Sequence, residues 1–259
     1  MAFTVSLVSL LTLEFYVKRL QWKDLKIQFE TLTNKVWEGI AQRLLGDKIS
    51  EQIDQIMKLD AVKSECHYTI TFKELRKHND EEWVVVVVEN SYKLRNSTVF
   101  SDRKFTVGAS LFGFAEIDDC PKFLELKVDT EPVSLEALKA NEKKSFEHSI
   151  GLPGDPNKFI TVSMSMRLAY HLTGFETFVT DKAAIEQLTI AVNNQLPEIL
   201  GKFRVDPLHM HSDALEELSL GVSWRSRRAF LPGQAFQLSW ARNEKTALSP
   251  QEAAPKKKG

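Results

Sequence analysis

His209, His211 and Asp213, in the stretch Asp206-Pro-Leu-His209-Met-His211-Ser-Asp213, are of types that hold metal ions. On an extended segment, residues two apart point the same way. His209 and His211 could therefore present both imidazoles to one ion, with Asp213 as an oxygen ligand. A metal held there would support a metal- or phosphate-dependent hydrolytic enzyme. The competing reading is a polar loop with two exposed histidines. A second group is basic: Arg225, Arg227 and Arg228, with Arg242 close behind in sequence. Arg225 and Arg227 share the polar face of a strand, which suits binding of a phosphate or a carboxylate. Its competing reading is a solvated sheet face, or ion pairs to acidic neighbours such as Glu216 and Glu217.

The string from Asp206 to Asp213 resembles the D-x-H-x-H-S motif of the polymerase-and-histidinol-phosphatase hydrolases. In that family the motif opens a β/α barrel near the start of the domain, and later strands supply further ligands. Here it lies near the end of the chain, followed by what reads as a hairpin and a tail. The family is set aside on that ground, and only the bare metal trio is retained. Other chemical signatures are missing from the sequence. It has no G-x-x-x-x-G-K-[ST] loop, no G-x-G-x-x-G, no H-E-x-x-H and no C-x-x-C. Gly221-Val222-Ser223-Trp224-Arg225 lacks the second glycine of a nucleophile elbow. Apart from a metal at the histidine segment, no cofactor is expected.

The elements that would position these groups begin with an unusual N-terminus. Ala2 to Val17 is mostly apolar, with Glu14 the one charge inside it. A helix of that length covers about 24 Å, against a hydrocarbon core of about 30 Å. Tyr16, Lys18, Arg19, Trp22 and Lys23 follow or close the run. Basic and aromatic residues after an apolar stretch mark a membrane exit on the cytoplasmic side. The expectation is a membrane anchor over residues 1–19, spanning or lying in the interface. A hydrophobic first helix packed on the domain is the bland alternative. From Leu20 to about Leu45, apolar residues recur at spacings of three and four, and a second helical segment fits Ile49 to Leu59. Residues 20–63 therefore read as a helical stalk, able to pack on the domain or to self-associate.

After Ser64 the period switches to two. Tyr68, Ile70 and Phe72 alternate with polar residues, Arg76 to Glu82 reads as a polar hairpin loop, and Val84 to Val88 reads as a strand buried on both faces. Leu124, Leu126 and Val128 alternate with their neighbours, and Ile160 to Tyr170 reads as a long half-buried strand. Leu188, Ile190 and Val192 repeat the pattern, as do Phe203 and Val205. Leu218 to Trp224 and Phe236 to Trp240 read as a hairpin whose link carries Pro232-Gly233 in type II turn positions. Interior helices are expected only at Ser134 to Asn141 and around Asp213 to Glu217. With no regular β-α-β alternation, the fold class is mainly β (α+β): an N-terminal helical segment, then an antiparallel β-sandwich or open barrel over residues 64–242. The loop at 151–158 either divides two subdomains or joins two sheets of one. Residues 243–259, ending AAPKKKG, read as a disordered tail.

Composition narrows the function classes. With 43% hydrophobic and 27% charged residues among 259, the chain is an ordinary globular one with a sizeable core. A net charge of −1 argues against nucleic acid as a partner. Two cysteines exclude a disulfide framework and suit a reducing compartment. These features together predict a non-enzymatic, membrane-tethered protein whose β-domain lies in the cytoplasm and binds a ligand or partner protein. A membrane and a partner or second copy are the expected associations. The alternatives are a self-assembling membrane effector and the metal- or phosphate-dependent enzyme.

Overall fold

The computed structural model describes residue 59 and residues 61–97, 103–155, 157–180 and 183–243. The expected anchor at 1–19, its boundary residues Tyr16, Lys18, Arg19, Trp22 and Lys23, nearly all of the stalk, and the tail beyond 243 lie outside the described residues. Among the described residues no helix is long and apolar enough to cross a membrane.

The described fold is mainly β. β1 (Ala61–His78) and β2 (Glu81–Asn96) form an antiparallel hairpin. The polar stretch Arg76 to Glu82 is not a wide loop. Arg76, Lys77 and His78 pair with Trp83, Glu82 and Glu81, and only Asn79 and Asp80 form the turn. Their φ angles of 52° and 65° are those of a type I′ turn, for which Asn and Asp are suited. Val84 to Val88 are all buried, as a strand covered on both faces requires.

The remaining strands are β3 (Arg103–Ser110), β4 (Lys122–Val128), β5 (Glu131–Pro132), β6 (Ser145–Leu152), β7 (Ile160–His171), β8 (Gly174–Val179), β9 (Ala184–Ile185), β10 (Leu188–Asn194), β11 (Leu200–Leu208), β12 (Leu215–Ser219), β13 (Ser223–Ser226) and β14 (Ala235–Arg242). A nine-stranded sheet runs in the order β12-β13-β10-β1-β2-β7-β4-β5, with β9 paired to β1. A three-stranded sheet runs β11-β14-β8, and β3 pairs with β6 in a separate ribbon. The large sheet is mixed: β10 and β9 both lie parallel to β1, so the wholly antiparallel arrangement is corrected.

The hairpin expected from residues 218–224 and 236–240 does not form. β13 pairs with β12 and β10 in the large sheet, whereas β14 pairs with β11 and β8. The link is nevertheless the expected type II turn: Gln234 N–H donates to Leu231 O at 3.0 Å and Gly233 has φ 83°. That turn passes the chain from one sheet to the other. Trp224 is buried, but Leu218, Leu220 and Val222 are exposed, because the chain already reverses at Gly221 (φ 66°).

The expected helix at Ser134 to Asn141 is a series of turns ending in a four-residue helix α1 (Ala140–Lys143). Lys139 sits at φ 50° and interrupts it. Around Asp213 only a 3-10 turn, Ser212–Ala214, precedes β12.

Among the described residues the main core is one continuous cluster. The inner face of the large sheet meets the small sheet through aromatic rings. Tyr68 lies edge-on to Phe178 and Phe236 at 5.3 and 5.4 Å, and Phe72 meets Phe203 and Trp240 at 5.0 and 5.3 Å. Phe105, Val107, Phe146 and Ile150 of the ribbon join the same cluster, so the 151–158 loop joins a ribbon and a sheet that share one core. On the outer face, Val85 and Ala169 are covered by Ile117 and Cys120 of the loop before β4.

Candidate functional site

The sequence-predicted metal trio does not come together. His209 stands at φ 60°, a left-handed backbone position that breaks the extended run on which the two imidazoles were to align. His211 and Asp213 are exposed, and Asp213 gives its carboxylate to Arg228 at 3.1 Å. Among the described residues no group of three His, Cys, Asp or Glu is placed to hold a metal. The arginine group is partly engaged as well. Arg227 Nε pairs with Glu216 at 3.4 Å and Arg228 with Asp213, while Arg242 reaches Glu82 at 3.3 Å. Arg225 is exposed on β13 with Glu216 opposite it on β12. These pairs leave little positive charge for an anion.

The outer face of the large sheet offers a different site. Strand register places Thr69 beside Glu89, Glu89 beside Ser165, and Ser165 beside Glu125, in one row across β1, β2, β7 and β4. The next row is His67, Ser91, Ser163 and Lys127. These side chains share one face because strand residues alternate. Glu89 and Glu125 stand two strand spacings apart, about 10 Å. A groove of about 270 Å³ lies over the array.

Two β-bulges bring the array onto one face. One lies between Ser64 and His67, the other between Phe123 and Glu125. Each adds a residue and flips the phase, so Phe123 and Leu126 point into the core while Glu125 and Lys127 join the hydroxyls outside. Leu124, at the second bulge, is left exposed.

Both ends of the array are closed by ion pairs. At one end Arg76 binds Asp119 at 2.7 Å, Asp118 at 3.3 Å and the Glu74 carboxylate, and Arg167 also binds Asp119. These contacts pin the loop before β4 onto the sheet. The Arg76 guanidinium beside Asp119, with Arg167, holds that carboxyl below the usual range. At the other end Lys93 binds Glu65 at 2.7 Å and lies over the Phe159 ring at 4.7 Å. Within the array, Lys127 and Glu125 neutralise each other at 2.6 Å. His67, Thr69, Glu89, Ser91, Ser163 and Ser165 make no side-chain hydrogen bond or ion pair with the described residues. The one unneutralised charge of the array is Glu89.

Beneath the array, Cys66 is buried and its thiol donates to Asn90 Oδ1 at 3.6 Å. Burial pushes that thiol up to about 12, and burial also raises Cys120, so neither is an activated nucleophile. A second cavity, about 400 Å³, lies between the start of β1, Tyr92 and the β3–β6 ribbon. Its cation, Lys63, already sits over the Tyr92 ring at 4.6 Å.

No family model and no curated protein sequence matches the chain. Among solved structures, Legionella pneumophila aminopeptidase A in complex with aspartic acid matches with a TM-score of 0.34 and 12% identity, over 70% of this chain and 22% of that one. The yeast δ-COP-I μ-homology domain complexed with a Dsl1 WxWxV peptide matches with a TM-score of 0.21 and 11% identity, over 71% and 75% of the two chains. The chain thus spans under a quarter of the aminopeptidase. Likeness at this level carries no argument about fold or function.

Proposed function

We propose that this chain is a non-enzymatic, membrane-tethered binding protein, and that its β-domain binds a positively charged, hydrogen-bonding partner segment on the outer face of the large sheet. The observation that supports the reading is the array itself. Six polar side chains with no side-chain hydrogen bond or ion pair among the described residues lie on adjacent, paired strands, with Glu89 as their unneutralised charge. A lysine or arginine side chain fits Glu89, and the flanking hydroxyls accept or donate as a peptide backbone requires. The tether is read from Tyr16, Lys18, Arg19, Trp22 and Lys23 behind the apolar N-terminal run, with the domain on the cytoplasmic side.

Binding of short basic, neutral and acidic peptides to the full-length chain tests the site. Basic peptides should bind preferentially, and Glu89→Lys should weaken them by about tenfold or more, since it removes a charge-assisted contact. Equal affinity for all three peptide classes, or unchanged binding by Glu89→Lys, refutes the assignment. Carbonate washing of membranes from cells expressing the chain without an N-terminal tag tests the tether: recovery wholly in the soluble fraction refutes it.

A further inference from the structure

β8 is an outer strand of the three-stranded sheet and, among the described residues, is hydrogen-bonded only to β14. Its backbone directions follow from three contacts. Thr180 N–H donates to Gln234 O, and Thr180 O accepts from Gly233 N–H, so Thr180 faces β14. Thr177 N–H instead donates to the Glu176 carboxylate at 3.0 Å. Antiparallel pairing alternates, so Phe175, Thr177 and Val179 turn their N–H and C=O groups away from β14. Their side chains also share one face, and Phe175 and Val179 are 64% and 62% exposed. An edge with open donors and acceptors and two large exposed apolar side chains is a template for strand addition.

The order of side chains says what is added. Read about Thr177, the edge is self-complementary: antiparallel pairing with itself sets Phe175 against Val179, Thr177 against Thr177, and Val179 against Phe175. All three are outward-facing residues, so each pair exchanges two hydrogen bonds. The aromatic–β-branched pairs and the threonine pair are favourable cross-strand neighbours. We propose that β8 pairs with β8 of a second copy about a two-fold axis at Thr177, joining two three-stranded sheets into one continuous sheet. In the single chain Glu176 holds the central donor, and pairing exchanges that bond for the Thr177 carbonyl of the second copy. Such a contact is smaller than the roughly 20–30 residues a side of a stable interface, so the association is reversible and concentration-dependent.

Single-cysteine substitution in the full chain tests the axis, because Cys66 and Cys120 are both buried. In a hydrogen-bonded pair the two Thr177 Cα atoms lie about 5.5 Å apart, within disulfide reach. Two Val179 residues in the same register lie about 14–15 Å apart, beyond it. Under mild oxidation Thr177→Cys should form a covalent dimer at least about tenfold faster than Val179→Cys. Equal rates, faster cross-linking by Val179→Cys, or no cross-linking by either overturns the proposal. Sedimentation velocity gives a second readout. Thr177→Pro removes an N–H that β14 does not use and should abolish the concentration dependence of the wild-type chain. Should that variant unfold, Phe175→Lys with Val179→Lys serves the same purpose at exposed positions. Self-association unchanged in a folded variant, or a wild-type chain that stays monomeric at every concentration, overturns the proposal.

Discussion

Replacement of Phe72 by alanine probes how the two sheets are joined. Phe72 is fully buried on the inner face of β1, with its ring 5.0 Å from Phe203 and 5.3 Å from Trp240 in the small sheet. Removing it deletes its contacts with Phe203 and Trp240 across the sheets, while those of Tyr68 remain, and leaves a cavity between paired strands. Phe→Ala substitutions at such positions cost about 3–5 kcal/mol. For a domain of this size each kcal/mol lowers Tm by about 2–4 °C, so the expected fall is roughly 6–20 °C. Phe112→Ala is the matched control: its ring is 67% exposed in the loop after β3. That change should stay within about 0.5 kcal/mol. Thermal unfolding followed by far-ultraviolet circular dichroism, with urea midpoints alongside, measures both variants. A fall below about 3 °C for Phe72→Ala, or one no larger than the control's, refutes the claim that this ring joins the two sheets.

Two further predictions concern pH. Burial raises the Glu176 carboxyl above its unfolded value, so its contribution to stability is complete below about pH 4 and declines as pH rises through the raised folded value. Glu176→Gln should therefore be more stable than wild type at pH 7 and no more stable near pH 4; a pH-independent gap in melting temperature would argue against burial as the cause. Asp119 behaves oppositely: its lowered carboxyl contributes stability above the unfolded value and loses it as pH falls through the folded one. Arg76→Gln should move the Asp119 carbon-13 titration up toward the ordinary value of about 3.9, and an unmoved curve would show that Arg76 is not its main partner.

Strands were legible in the sequence where both faces or one face of a single strand carried the signal. Val84 to Val88, Ile160 to Tyr170 and Leu188 to Val192 all lie in strands, because burial of a strand depends on its own side chains. Pairing was less legible. Phe236, Leu238 and Trp240 carry the alternation of a hairpin partner for Trp224, and Pro232-Gly233 makes the expected turn, yet the turn leads across to another sheet. Nothing in a local pattern distinguishes a turn within a sheet from one between sheets. The parallel partnership of β1 with β10, more than a hundred residues apart in sequence, is invisible for the same reason. At the histidine segment the residue types were right for a metal, but the left-handed backbone at His209 and the pull of Arg228 on Asp213 are properties of the folded chain.

The outer-face array shows why a candidate site can escape a linear reading even when each strand is recognised. Its residues come from four strands, and each contributes only two ordinary polar side chains. Alternation alone puts Glu125 and Lys127 on the face opposite Leu124 and Leu126, without saying which face meets the hydroxyls of β7. That depends on the bulge between Phe123 and Glu125, which lets Phe123 and Leu126 both enter the core although they are three residues apart. The bulge between Ser64 and His67 does the same for β1, since Lys63 pairs with buried Leu94 while His67 pairs with Ser91 on the open face. A period of two leaves no room for such a shift without an extra residue. Each bulge therefore serves packing and the array at once: the phase that buries Phe123 is the phase that sets Glu125 beside Ser165. Without the second bulge, Leu124 would stand in the row that holds Glu89, and the array would lose both members from β4.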